Sequence, residues 1–293
     1  MDYGKLKVGR IGYLNVLPIY YPLEQGTIKH NFSFVYGSPA ELNGLMARGE
    51  LDVSVVSSIE YARHFERYVV LPYLSISCRG AVKSVLLFST VSLEKLAGQV
   101  IHVTPQSHTS VALLKILLRR FYGVECEFAG MARPLWQSSV TRRPDAYLAI
   151  GDEALYWKKR RIFRYEWDLG ELWNSWTHLP FVFALWVCRR DLAQREPDKL
   201  IRCLESFLSA KAWGLKNLDL VCSQASRTTF MTQDELKVYF RHLCYDLENG
   251  MIEGLEHYYS MLYEEELIDN MPPLEFLEGA FDLDEISARR IQR

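Results

Sequence analysis

The sequence predicts an α/β protein in two lobes, and three observations carry that prediction. Short β-rich runs alternate with helical stretches over residues 7–76, the pattern of parallel βαβ units in an open sheet. The same alternation restarts at residue 100. Between and after the two alternating regions lie long apolar extended runs, 82–89 and 179–188, followed by a helical tail. A chain that leaves one lobe and returns to it forms a hinge with a cleft, where small-molecule sites concentrate. The division expected is residues 1–89 with 189–293 as the first lobe and 90–188 as a smaller second lobe.

The elements follow in order. Residues 7–13 read as a strand, and Pro18 suits the first turn of a helix over 17–24. Residues 32–36 alternate with period two. Ser38-Pro39-Ala40-Glu41 then opens a helix, with Ser38 as cap and Glu41 returning a bond to it. A buried strand at 53–56 runs into Ser57-Ser58-Ile59-Glu60, which reads as a second capping box. Residues 69–76 are extended. In the second region, 100–103, 124–128 and 146–150 read as strands. Residues 107–121 read as a helix with Val111, Leu114, Leu117, Leu118 and Phe121 on one face, and Gly151-Asp152-Glu153 starts another. The tail carries three apolar faces at helical spacing, the second after the box Thr232-Gln233-Asp234-Glu235.

Composition excludes several classes. The 293 residues are 49% hydrophobic and 24% charged, with a formal net charge of −2, which indicates neither nucleic acid nor an acidic membrane as partner. The longest apolar run is too short to span a bilayer. Residues 1–7 lack the apolar core of a signal peptide, so a cytoplasmic location is expected. Six scattered cysteines without a C-x-x-C pair read as buried thiols rather than disulfides or zinc ligands. No metal site and no cofactor are expected, and there is no P-loop or H-E-x-x-H motif.

The chemistry lies where strands hand over to helices. Gly12 permits a tight turn or close approach of a ligand, beside Tyr13. Asn15 either caps a helix, its ordinary use, or meets a ligand at the carboxyl end of a strand. Three further junctions are rich in hydroxyls or glycine: Ser57-Ser58; Thr104 to Ser110, with Ser107 and Thr109; and Ile150-Gly151-Asp152. A helix N-terminus carries unpaired N–H groups and holds a carboxylate with about 0.3–1 kcal/mol when exposed and up to about 2 when partly buried. His108 reads as an exposed turn residue, with a general base as the alternative. Asp152 and Glu153 read as first-turn acids that complement the helix dipole. Trp167, Trp173, Trp176 and Trp186 read as core or inter-lobe packing, with one or two available to line the cleft. Residue chemistry alone reaches a two-lobed binder of a small carboxylate.

The motifs go further. Arg10-Ile11-Gly12-Tyr13-Leu14-Asn15 with Leu17-Pro18, Val56-Ser57-Ser58-Ile59-Glu60-Tyr61-Ala62 and Val82-Lys83-Ser84-Val85-Leu86-Leu87-Phe88-Ser89 resemble the chorismate dehydratase family of the futalosine route to menaquinone. So do Ser107 with Thr109-Ser110-Val111-Ala112-Leu113-Leu114, Ile150-Gly151-Asp152, and Trp176-Thr177 with Leu179-Pro180-Phe181-Val182-Phe183-Ala184. The resemblance implies a type II periplasmic-binding-protein-like fold used by a cytoplasmic enzyme, a hydro-lyase that takes chorismate to 3-[(1-carboxyvinyl)oxy]benzoate. It implies Asn15 and Ser84 as catalytic residues. Gly12, Tyr13, Ser57, Ser58, Ser107, Thr109, Ser110, Gly151, Asp152 and Phe181 are the expected substrate-binding set. The chain departs from the family pattern at Val16, where a small polar residue is common, and at Pro105-Gln106 with His108.

Two other readings remain open on sequence. A solute receptor or effector-sensing domain would bind a small carboxylate unchanged. The related dihydroxynaphthoate-forming enzyme normally carries a Ser-Pro-Cys-Pro-Asn-Asp stretch near its start, where this chain has Gly12-Tyr13-Leu14-Asn15. With no strongly basic protein group in the motifs, the enolpyruvyl carboxylate of the substrate is the expected base.

Overall fold

The computed structural model describes residues 5–105, 107–138 and 143–280. Gln106 of the hydroxyl-rich turn and both chain ends, included in the expected first lobe, lie outside the described residues. The first lobe begins with β1 (Leu6–Ile11), α1 (Leu17–Glu24), β2 (Phe32–Gly37), α2 (Pro39–Ala47), β3 (Val53–Ser57), α3 (Ser58–His64) and β4 (Tyr68–Cys78). The second holds β5 (Val85–Ser89), β6 (Val100–Val103), α4 (His108–Ile116), β7 (Glu127–Gly130), β8 (Ala146–Ile150), α5 (Gly151–Arg160), β9 (Tyr165–Asp168) and α6 (Leu169–Thr177). The chain returns through β10 (Phe181–Arg189). It ends in α7 (Arg190–Arg195), α8 (Pro197–Lys216), α9 (Leu218–Ala225), α10 (Gln233–His242) and α11 (Asn249–Glu264).

Each lobe is built on a five-stranded sheet, in the orders β2-β1-β3-β10-β4 and β7-β6-β8-β5-β9. Three strands of each are parallel, and a fourth, antiparallel strand is inserted beside them. That inserted strand is one of the two long apolar runs, and here the expected division at 89 and 189 is corrected. β5 pairs within the second sheet and β10 within the first. The chain turns before each long run rather than after it. Left-handed backbone at Gly80 (φ 101°), Lys83 (φ 68°) and His178 (φ 60°) marks both turns.

Local expectations fare unevenly. α1 spans the expected residues, and the capping boxes at Ser38–Glu41 and Thr232–Glu235 both form. The expected strand over 7–13 stops at Ile11, and that over 124–128 lies instead at Glu127–Gly130. The helix over 107–121 changes pitch, with α4 passing into a π-helical turn at Leu117–Phe121. Ser57 makes no side-chain capping bond, and the carboxylate of Glu60, its partner in the expected box, accepts the hydroxyl of Tyr68.

Apolar packing joins both lobes and the tail in one large core, and a smaller separate cluster in the second lobe gathers Leu86, Phe88, Leu135, Tyr147, Ala149 and Ala154. α8 crosses α1 so closely that a methyl group at Gly214 would sit 1.7 Å from the Pro18 carbonyl oxygen. α11 does the same at the second crossing, where a methyl at Gly254 would sit 2.2 Å from the carbonyl oxygen of Pro180. Only glycine permits such contacts. Trp173 and Trp186 are fully buried, and Trp167 and Trp176 pack half-buried against the core. All six cysteines are free thiols, four of them buried.

Candidate active site

Between the two sheets lies a cavity of about 180 Å³, walled by strand ends and helix starts of both lobes. From the first lobe come Tyr13, Asn15, Asn43 and Ser57, and from the second Ser84, Ser107, Thr109, Ser110 and Gly151. The remaining wall is largely apolar, with Ile11, Val55, Ile76, Val82, Ile150 and Phe183. Among the described residues, His108 is the one of the lining that can carry a positive charge, and no Asp, Glu, Lys or Arg is among them. The starts of α2, α3, α4 and α5 all reach this cavity, so partial positive charge comes from backbone rather than from side chains.

Ser84 is fixed from three directions. Its carbonyl oxygen accepts the Gly151 N–H at 2.7 Å, and its hydroxyl accepts that of Tyr239 at 3.0 Å. The turn before it is held by Asp168, whose carboxylate accepts the N–H groups of Val82 (3.0 Å) and Lys83 (2.7 Å). The same carboxylate caps α6 through Gly170 and Glu171. Burial raises the Asp168 pKa, opposed by these N–H donors. Lys83 pays backbone strain of order 1–3 kcal/mol for its positive φ, and a well-supported turn is what sustains it.

Asn15 sits in a short 3₁₀ turn, Leu14–Val16, and its backbone carbonyl accepts the Tyr245 hydroxyl at 2.9 Å. Its side-chain Oδ1 is buried and has no hydrogen-bond partner; the same holds for Asn43 Oδ1 on α2. Two unpaired amide oxygens in one small cavity are costly, at about 1–3 kcal/mol each, unless a ligand satisfies them.

The two lobes also touch directly. Thr109 Oγ1 accepts the Ile59 N–H at 3.0 Å, and Tyr258 donates to the Thr109 carbonyl at 3.1 Å. Gly151 takes φ +57° with the Tyr13 ring against it, so a side chain there would meet both backbone strain and the ring at 3.1 Å. Burial pushes the Tyr13 hydroxyl up to about 12, helped by the nearby Asp152 and Glu153 carboxylates.

Several expected binding residues sit elsewhere. Gly12 and Asp152 line the outer cleft that continues from the cavity past Tyr13 and Pro39, not the cavity itself. Asp152 accepts the Leu14 N–H at 3.1 Å, and burial raises its pKa to about 6. Ser58 is a correction: it is fully buried and donates to the Val182 carbonyl, because the helical turn at Ser57–Ser58 can present only one of the two hydroxyls to the cavity. Phe181 is another, packed among Trp173, Phe183 and Tyr258 in the core. The phenylalanine of the wall is Phe183, beside a register shift between Val182 and Ala184 that breaks the strand's alternation. Ser107 and Thr109 do face the cavity, although the Ser107 hydroxyl donates to the Thr104 carbonyl. His108 is exposed at the rim, and none of the four tryptophans lines the cavity.

Sequence reasoning did not find Asn43, Tyr239 or Tyr245. Asn43 lies one turn into a helix whose capping box marks its start, which is the signal that could have placed it at the strand-end surface. The tyrosines act across 155 and 230 residues of chain, and no local pattern announces that.

Comparison with known proteins gives the family and the fold. A family model described as menaquinone biosynthesis matches residues 6–264. A chorismate dehydratase of Thermus thermophilus is 33% identical over 264 residues, covering 83% of this chain and 90% of that protein. A chorismate dehydratase of Campylobacter jejuni is 32% identical over 185 residues, 61% of this chain and 66% of that one. Among solved structures, the periplasmic aliphatic sulphonate binding protein SsuA of Escherichia coli superposes with a TM-score of 0.67 at 13% identity, over 96% of this chain and 99% of that one. The fold is thus that of periplasmic binding proteins. The chain belongs to the menaquinone-biosynthesis family that includes these chorismate dehydratases.

Proposed function

We propose that this protein is a chorismate dehydratase, a hydro-lyase that eliminates water from chorismate to give 3-[(1-carboxyvinyl)oxy]benzoate. The observation that carries the reading is the cavity between the lobes. It holds Asn15 with an unpaired amide oxygen, Ser84 with a fixed hydroxyl, and a wall that among the described residues has no Asp, Glu, Lys or Arg. Such a wall suits a ring compound whose own charges are carboxylates, held by helix N-termini and hydroxyls. The serine and threonine of the α4 start, with Ser57, are the groups we assign to those carboxylates.

Loss of the ring hydroxyl with the neighbouring C–H turns a cyclohexadiene into a benzene ring, so aromatisation drives the reaction. The elimination needs a base and help for the departing hydroxide. Asn15 and Ser84 are assigned to the hydroxyl, and the proton goes to the enolpyruvyl carboxylate of the substrate itself. Holding that carboxylate against the ring C–H makes the transfer intramolecular, which can supply several of the roughly 7–11 kcal/mol available from orientation. No cofactor enters this scheme. Six unpaired thiols suit a reducing compartment, and we place the reaction in the cytoplasm.

Mixing the purified protein with chorismate and following the ultraviolet spectrum tests the reading. An aromatic absorbance that grows with enzyme concentration is expected. Binding without spectral change would mark a carboxylate receptor instead, and an unaltered substrate with no binding would reject the reading.

A further inference from the structure

Tyr239 lies on α10, in the tail, and its hydroxyl meets Ser84 Oγ at 3.0 Å. The tyrosine is buried to 2% exposure, and Ser84 is its one hydrogen-bond partner among the described residues. A phenol in that position must donate, since its proton has no other acceptor among the described residues. A serine hydroxyl has one proton and two lone pairs. With a lone pair of Ser84 occupied by Tyr239, its proton has no protein acceptor among the described residues and an open side only toward the cavity. We propose that Tyr239 is a positioning residue, which turns the Ser84 hydroxyl proton toward whatever occupies the cavity.

The surrounding structure supports this role. Six residues further on, Tyr245 holds the Asn15 carbonyl, so one stretch of the tail braces both residues of the cavity floor. That stretch is itself bound to β4, where Ser75 N–H donates to the Tyr245 carbonyl at 3.0 Å and Ser77 exchanges two backbone bonds with Cys244. Burial also raises the Tyr239 pKa, which keeps the phenol a donor throughout the working range.

The kinetic arm of the test rests on the proposed reaction; the structural arm does not. Steady-state rates on chorismate are compared for wild type, Tyr239→Phe, Ser84→Ala and the double variant. Loss of one neutral hydrogen bond predicts about a five-fold fall in kcat for Tyr239→Phe with KM within about two-fold. In the Ser84→Ala background the same change should have no further effect. An unchanged kcat in Tyr239→Phe, or an equal further fall without Ser84, would overturn the proposal. Independently, high-resolution crystal structures of wild type and Tyr239→Phe should show Ser84 in one rotamer in the first and spread over several in the second. A Ser84 rotamer unchanged in Tyr239→Phe also overturns it. A wild type that leaves chorismate intact refutes the reaction, and the crystal comparison still decides the role of Tyr239.

Discussion

The carboxylate of Asp152, at the start of α5 in the second lobe, accepts the backbone N–H of Leu14 in the first at 3.1 Å. This bond joins the lobes a few residues from Asn15, Gly151 and Tyr13, and it is made by an acid held in an unfavourable place. Burial raises the Asp152 pKa from 3.8 to about 6, opposed by the Leu14 N–H and by Arg10.

A pH dependence follows. A folded-state pKa above the unfolded value means the folded protein binds the extra proton between about pH 3.8 and 6. The stability tied to this proton is fully present below the lower value and is lost as pH rises through the upper one. Asp152→Asn keeps an acceptor for Leu14 and removes the charge. Its Tm should exceed that of the wild type at pH 7, by a free energy on the order of 1–2 kcal/mol once partial solvent screening is allowed for. The difference should vanish near pH 4. Thermal denaturation of both proteins across this range checks it; a lower Tm at pH 7 would count against the burial argument.

Gly254 and Gly250 make a matched pair on α11. A methyl at Gly254 would strike the Pro180 carbonyl oxygen at 2.2 Å, whereas the nearest atom to one at Gly250 is a flexible arginine tip at 3.8 Å. Gly254→Ala should therefore destabilise by about 1–3 kcal/mol or more, through forced movement at the second crossing. Gly250→Ala should be neutral or stabilise by up to about 1 kcal/mol through helix propensity. Urea denaturation distinguishes them, and equal midpoints would show that the close approach is not required.

Gly151→Ala combines strained backbone at φ +57° with a methyl 3.1 Å from the Tyr13 ring. We expect a loss of about 1–3 kcal/mol in stability. Turnover should fall as well, because the Gly151 N–H positions the Ser84 carbonyl. Comparing Tm and kcat for this variant with Tyr13→Ala/Gly151→Ala separates ring contact from strain: relief of the clash should recover only part of the Tm.

Much of the architecture could be read from local pattern, because alternating apolar periods and capping boxes are written within a few residues of each other. α1 and the boxes at Ser38 and Thr232 are of that kind. The sheet membership of β5 and β10 could not be read so, since an apolar strand fits either sheet equally and the decision falls to the turns at Gly80, Lys83 and His178. β9 and α6 escaped detection for a similar reason. Four residues, Tyr165–Asp168, are too few for a period, though Asp168 before Gly170 and Glu171 carries a capping signal. In the site, the strand-end residues Asn15, Ser57, Ser84, Thr109 and Gly151 reach the cavity because strand ends of both sheets face one another. Ser58 and Phe181 share motifs with them but point inward, and one-residue differences of direction are decided by helical turn and β-bulge. The tyrosine braces come from the far end of the chain.

The central claim is that neutral donors hold the substrate while its own carboxylate takes the proton. The most direct test is turnover of chorismate by Asn15→Ala, Ser84→Ala and His108→Ala, measured alongside product affinity. We predict losses on the order of 10²–10³ in kcat for the first two, the typical cost of one well-placed donor, and a rate within a few-fold of wild type for His108→Ala. Near-normal turnover in Asn15→Ala and Ser84→Ala, or abolished turnover with intact binding in His108→Ala alone, would contradict the claim.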